Sequence, residues 1–146
     1  MANTILQTAE AQVKGVLDAW ASAMRDKDAD GVISHQAKDF VQFALAPPLV
    51  AKELDRNALD EWFSSWRGPI EYEIRDQRIT AADELAFCRS LNRMRATASS
   101  GEQTELWFRQ TMCLRRLDGG WKIVHEHESV PFYMDEDARA AIDLKP

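Results

Sequence analysis

The sequence predicts an α+β domain, and three observations carry that expectation. The first half holds apolar residues at helical spacing, the second half holds long runs of alternating character, and Asp118-Gly119 stands between two such runs. Asp-Gly in that setting is the strongest short-range signal for a hairpin, because a type I′ turn needs positive φ at both central residues. A chain of 146 residues fits one domain, 1–146, with a core of ordinary size.

From Thr4 to Arg25 the positions Ile5, Val13, Val16, Leu17, Trp20, Ala23 and Met24 recur as one stripe, which predicts an amphipathic helix lying on a sheet. Asp28 or Asp30 can cap a short second helix running through His35, since a short acidic side chain accepts bonds from free first-turn amides. Phe40 to Leu45 reads as a strand stopped by Pro47-Pro48, where a missing amide ends any ladder. Asp55 caps a third helix with Leu59, Trp62, Phe63 and Trp66 on one stripe, ended by Gly68-Pro69. Strands from Ile70 to Ile79 and from Glu84 to Ala96 follow, then a turn over Thr97 to Gly101. After Pro131, the segment Asp135 to Ile142 predicts a short helix with acids at its positive end.

The hairpin from Glu105 to Phe132 organises the rest. With Asp118 and Gly119 as the turn, strict alternation pairs Arg116 with Trp121, Leu114 with Ile123, Met112 with His125, Gln110 with His127 and Phe108 with Ser129 on one face. That face is the more apolar and should point inward. His125 and His127 would then point in together while Glu126 and Glu128 point out. Arg116 fits this parity only at an open rim or stacked on Trp121.

Composition excludes several classes. Apolar residues at 45% and charged residues at 29% describe a globular chain rather than a disordered one. A net charge of −6 with no basic run argues against a nucleic-acid partner, which needs clustered Lys and Arg. Neither a signal peptide nor a run of roughly 20 apolar residues is visible, so no membrane partner and a cytoplasmic location are expected. Cys88 and Cys113 lack disulfide-framework or metal-ligand spacing and read as small packed side chains. No phosphate loop, His-Glu-x-x-His or Gly-x-Ser-x-Gly is present, so no cofactor is expected. Two His at i, i+2 can supply ligands, but zinc wants three or four, so no metal site is expected.

Gly120-Trp-Lys-Ile-Val-His-Glu-His-Glu-Ser-Val-Pro-Phe132 resembles the closing strand of the SnoaL-like branch of the nuclear-transport-factor-2-like superfamily, which includes ketosteroid isomerases, polyketide cyclases and scytalone dehydratase. The resemblance extends over nearly the whole chain, through Lys27-Asp28-Ala29-Asp30-Gly31, Phe43 to Pro48 and Gly68-Pro69-Ile70-Glu71-Tyr72-Glu73-Ile74. It implies a cone: a curved antiparallel sheet wrapped around N-terminal helices, with a pocket at the wide end. Ketosteroid isomerisation uses a carboxylate base with a Tyr and a protonated Asp. Matching places Trp20, Ala44 and Met112 at those positions, and none of these can do that acid–base work.

What the resemblance and the parity leave at the wide end is His125 and His127 as acid–base candidates, imidazole titrating nearest neutrality. Arg89, carried over from the isomerase parity, would hold an anionic group. Trp20, Trp62, Tyr72, Phe87, Gln110, Met112 and Ser129 are the expected ligand-binding residues. Scytalone-dehydratase-like members pair inward His with an acid; here that acid stays open, with Asp76 nearest by parity. Three readings stand side by side. One is a cofactor-independent isomerase, cyclase or dehydratase acting on a hydrophobic or carboxylated molecule; the others are a non-catalytic ligand-binding module and an oligomerisation module. Trp107, Cys113 and Val124 on the outward face predict a homodimer.

Overall fold

In a computed structural model, residues 2–52, 54–118 and 120–146 are described, with side chains from residue 8 onward. The elements are α1 (Ala2–Arg25), α2 (Ala29–Ser34), β1 (Gln36–Phe43), α3 (Arg56–Ser64), β2 (Trp66–Ala81), β3 (Leu85–Ala98), β4 (Gln103–Leu117) and β5 (Gly120–Ser129). One five-stranded sheet runs in the order β1-β5-β4-β3-β2. It is antiparallel except at one edge, where β1 runs parallel to β5; the wholly antiparallel expectation is corrected there. The sheet curves without closing, and the helices cover its inner face.

The stripe of α1 buries Val13, Leu17 and Trp20 against that face; Ile5, predicted on the same stripe, has its side chain outside the described residues. Lys27 in the left-handed region (φ 56°) turns the chain as α1 ends, with Asp28 N donating to Ala23 O at 2.9 Å. Asp28 Oδ1 then accepts from Gly31 N at 3.0 Å and caps α2. A Cβ at position 31 would lie 2.5 Å from Asp28 Oδ2, so the cap requires glycine there. Asp55 caps α3 through Asn57 N, 2.8 Å.

Two expectations about element ends change. The third helix stops at Ser64, and Trp66 to Pro69 belong to β2. A proline is tolerated because β2 is an edge strand and its register slips between Arg67 and Glu71, leaving the missing amide without a ladder partner. No helix forms over 135–142. Asp135 Oδ1 instead accepts from the amides of Asp137 and Ala138, at 3.1 and 3.0 Å, and Ala138 takes φ 46°, which a helix cannot hold.

The hairpin forms, with Leu117 paired to Gly120 and Asp118 at φ 48°; Gly119 lies outside the described residues. Arg116–Trp121, Arg115–Lys122 and Leu114–Ile123 pair as alternation predicts. Arg116 stacks on Trp121, its guanidinium carbon 5.1 Å from the ring centre, and both donate to Gln12 Oε1, at 3.2 and 3.0 Å. The next pair is Cys113–His125. Val124 is therefore an extra residue, a β-bulge, and beyond it every side chain of β5 changes face.

That bulge overturns the inward histidines. His125, His127 and Ser129 pair with Cys113, Thr111 and Arg109 on the outer face, while Glu126 and Glu128 pair with Met112 and Gln110 on the inner one. Arg89 and Phe87 also point outward, because Ala86, Cys88, Ser90 and Asn92 take the buried positions of β3. Asp76 is exposed, at φ 54° in a second register slip of β2. Among the described residues, no helix is long and apolar enough to cross a membrane.

Candidate active site in the cone

The inner face beyond the Val124 bulge carries two acids, Glu126 and Glu128, side by side on one strand. Glu126 is 3% exposed and Glu128 half-buried. Burial pushes the Glu126 carboxyl up, partly offset by contacts with the side chains of Glu128, Gln42 and Gln110 and by nearby His125. Glu128 lies well above the usual carboxylate range, through burial first and then through Glu126 beside it. Two carboxyls that compete for one ionisation titrate as a unit. No salt bridge neutralises either of them among the described residues.

Behind the pair lies a buried polar chain drawn from three strands. Ser90 Oγ donates to Asn92 Oδ1 at 2.7 Å, which fixes the Asn92 amide so that its Nδ2 donates to Tyr72 Oη and to Gln110 Oε1, both at 2.8 Å. Gln110 Nε2 closes the set on Tyr72 Oη at 3.4 Å. Asn92 is 0% exposed, and its satisfied partners explain how polar groups survive there. Burial and the charges of Glu128 and Glu126 push the Tyr72 phenol well above its ordinary value, so it stays protonated. Trp20 packs its edge on Tyr72, ring centres 5.6 Å apart.

Glu128 borders, with His127, a cleft of about 590 Å³ between the segment Phe43–Val50 and the end of β5. Its wall is otherwise apolar. That volume falls within the range of small-molecule sites. The segment is tied at its base, where Gln42 and Ala51 exchange backbone bonds of 2.7 and 2.9 Å, and Gln42 Nε2 donates to Glu126 Oε1 at 3.4 Å.

Of the residues predicted for the site, Trp20, Tyr72, Gln110 and Met112 face the interior. Trp62 packs on Phe63 and Trp66 instead. Arg89, Phe87 and Ser129 lie on the outer face. His125 is outside too: its Nδ1–H donates to Val41 O at 2.7 Å, and Phe43 packs edge-on against both His125 and His127. His127 alone of the two borders the cleft. The acids Glu126 and Glu128, with Asn92, Ser90 and Gln42, were missed. The available signal was Ile123-Val124, two successive apolar residues where alternation asks for one, which is how a bulge reads in sequence.

A model of the SnoaL-like domain matches residues 13–133. An NTF2-like protein of unknown function from Pseudomonas putida KT2440 is 32% identical, with a TM-score of 0.84 over 96% of this chain and 98% of that one. A protein named as a candidate scytalone dehydratase from Novosphingobium aromaticivorans DSM 12444 reaches 0.76 at 11% identity, over 98% and 99%. One named as a candidate dehydratase of the NTF2-like family from Streptomyces avermitilis reaches 0.74 at 16%, over 85% and 97%. At those identities the last two share the fold. No curated protein matches the sequence.

Proposed function

The chain belongs to the SnoaL-like domain family, and from that premise we propose that it is a cofactor-independent acid–base enzyme of the isomerase or dehydratase type, with Glu126 and Glu128 as its proton-handling pair. The observation that carries this reading is the placement of two inward carboxyls, one bordering the cleft and one sealed behind it. Carboxyls raised by burial are suited to holding and releasing a proton.

The pair acts as one unit holding one proton. In an elimination, a substrate C–H gives its proton to Glu128, the carboxyl that borders the cleft, the C–O bond breaks, and the departing oxygen takes that proton back from Glu128 and leaves as water, with Glu126 behind it holding the proton the pair keeps throughout. In an isomerisation Glu128 returns the proton to another carbon. Either way the pair starts and ends with one proton, and no oxidant or reductant is consumed. His125 stands on the outer face of the sheet, its Nδ1 bonded to Val41 O.

The test uses a simple ketone, 1-tetralone, in deuterated buffer, with loss of its α-proton signal followed by NMR. Exchange above the buffer rate should fall at least about a hundredfold in Glu128→Gln, within the usual contribution of a general acid or base, and persist in His125→Ala. Saturable binding without exchange would leave a ligand-binding module instead.

We also propose a homodimer through the outer sheet face. Supporting it, Phe87 and Leu85 are 50% and 58% exposed there. Trp107 on the same face is braced by Arg75 and Arg93, whose guanidinium carbons lie 4.8 and 6.0 Å from its ring centre.

A further inference from the structure

The outer sheet face pairs its arginines with acids, except along one row. Arg75 and Arg93 meet Glu73 at 3.7 and 3.3 Å, Arg95 meets Glu71 at 3.5 Å, and Arg115 meets Asp39 at 3.6 Å. Between these pairs Arg78 stands directly opposite Arg89, and Arg109, opposite Leu91, lies diagonal to Arg89 on the same face. All three are exposed, and none has an acid partner among the described residues. Like charges directly opposite one another destabilise a strand pair. An open cationic row on a chain of net charge −6 calls for an anionic group from beyond the sheet.

The chain itself carries unmatched acids that suit the row. After β5 it doubles back, Tyr133 N donating to Arg139 O and Ala141 N to Pro131 O, both at 2.8 Å, so residues 131–141 form a small hairpin. Asp135 folds onto its own turn, and Arg139 lies beside Asp143. Glu136 and Asp137 are left exposed at the tip, without an ion pair among the described residues. Beside them Met134 is 97% and Phe132 63% exposed. The hairpin is rooted on the outer face: Pro131, Ala141 and Leu144 enclose a cavity of about 190 Å³ with Leu91, Trp107 and Arg109, and Lys145 reaches Glu105 at 3.9 Å.

We infer that each copy's hairpin tip docks on the arginine row of a second copy of this chain. Glu136 and Asp137 of the partner subunit meet Arg78, Arg89 and Arg109, and Phe132 and Met134 of the partner subunit cover Phe87 and Leu85, the apolar groups beside the row. The inference rests on the homodimer reading and names the surface that holds the dimer together. A two-fold axis makes the contact twice, since the same patch serves on both copies. Two copies that repel by net charge then associate through a complementary patch, and exposed apolar side chains on both partners leave water.

The test is a charge exchange in the full chain, read by sedimentation. One variant carries Arg78→Glu and Arg89→Glu; the other carries Glu136→Lys and Asp137→Lys, with Asp135 kept because it holds the turn. Each variant alone should self-associate at least about a hundredfold more weakly than wild type, because every docked contact becomes a like-charge one. Mixed in equal amounts, the two chains place acid against base at both contacts, and they should form a heterodimer at near wild-type affinity. That recovery also shows that each variant is folded. A variant that dimerises as wild type does, or a mixture that stays monomeric, would overturn the inference and leave the homodimer standing. A monomeric wild type would remove the inference and the homodimer reading together.

Discussion

A carboxyl pair without a counter-cation shapes the protein's response to pH. In both Glu126 and Glu128 burial raises the folded value above that of the unfolded chain, so over that interval the folded state binds more protons than the unfolded state. Stability from the pair is therefore fully present below about pH 4.3, the ordinary Glu value, and is lost as pH rises through the folded values. Glu128→Gln removes that loss. It should melt at nearly the wild-type temperature at pH 4 and a few degrees higher at pH 8, measured by calorimetry. A variant less stable than wild type at pH 8 would contradict the assignment.

At the scale of elements, β5 does two jobs divided by one residue. Before the bulge, Trp121 and Ile123 anchor the narrow end of the cone, with Trp121 4% exposed and its indole bonded to Gln12. Trp121→Ala should cost about 3–5 kcal/mol in denaturant unfolding; a loss under about 1 kcal/mol would mean that the side chain is not packed there. Up to this point the alternation rule reads the strand correctly, down to the stacking of Arg116. Past Val124 it inverts every side chain, because a period-2 rule carries a single insertion forward without correction. That is why the hairpin, the cap at Asp55, the cap at one of Asp28 and Asp30, and the buried Trp20, Tyr72, Gln110 and Met112 were legible, while the acids were exchanged with the histidines. The Ser90–Asn92–Tyr72 chain was hidden for another reason. Its members come from different strands, and only the β2–β3–β4 register brings them together.

For the whole molecule, the sheet separates an interior that holds the two acids from an exterior with exposed apolar groups. The proposed dimer predicts twice the chain mass in sedimentation at micromolar concentration, with Phe87→Glu shifting it to monomer; a monomeric wild type would remove that proposal. The Val124 bulge turns Glu126 and Glu128 into the cone, side by side, where each acid shapes the titration of the other. A ¹³C NMR titration of the glutamate carboxyls, assigned through Glu126→Gln and Glu128→Gln, tests it most directly. Both signals should titrate above the ordinary carboxylate range, and removing either acid should shift the titration of the other. Two independent titrations near pH 4.3, as for solvent-exposed glutamates, would contradict it.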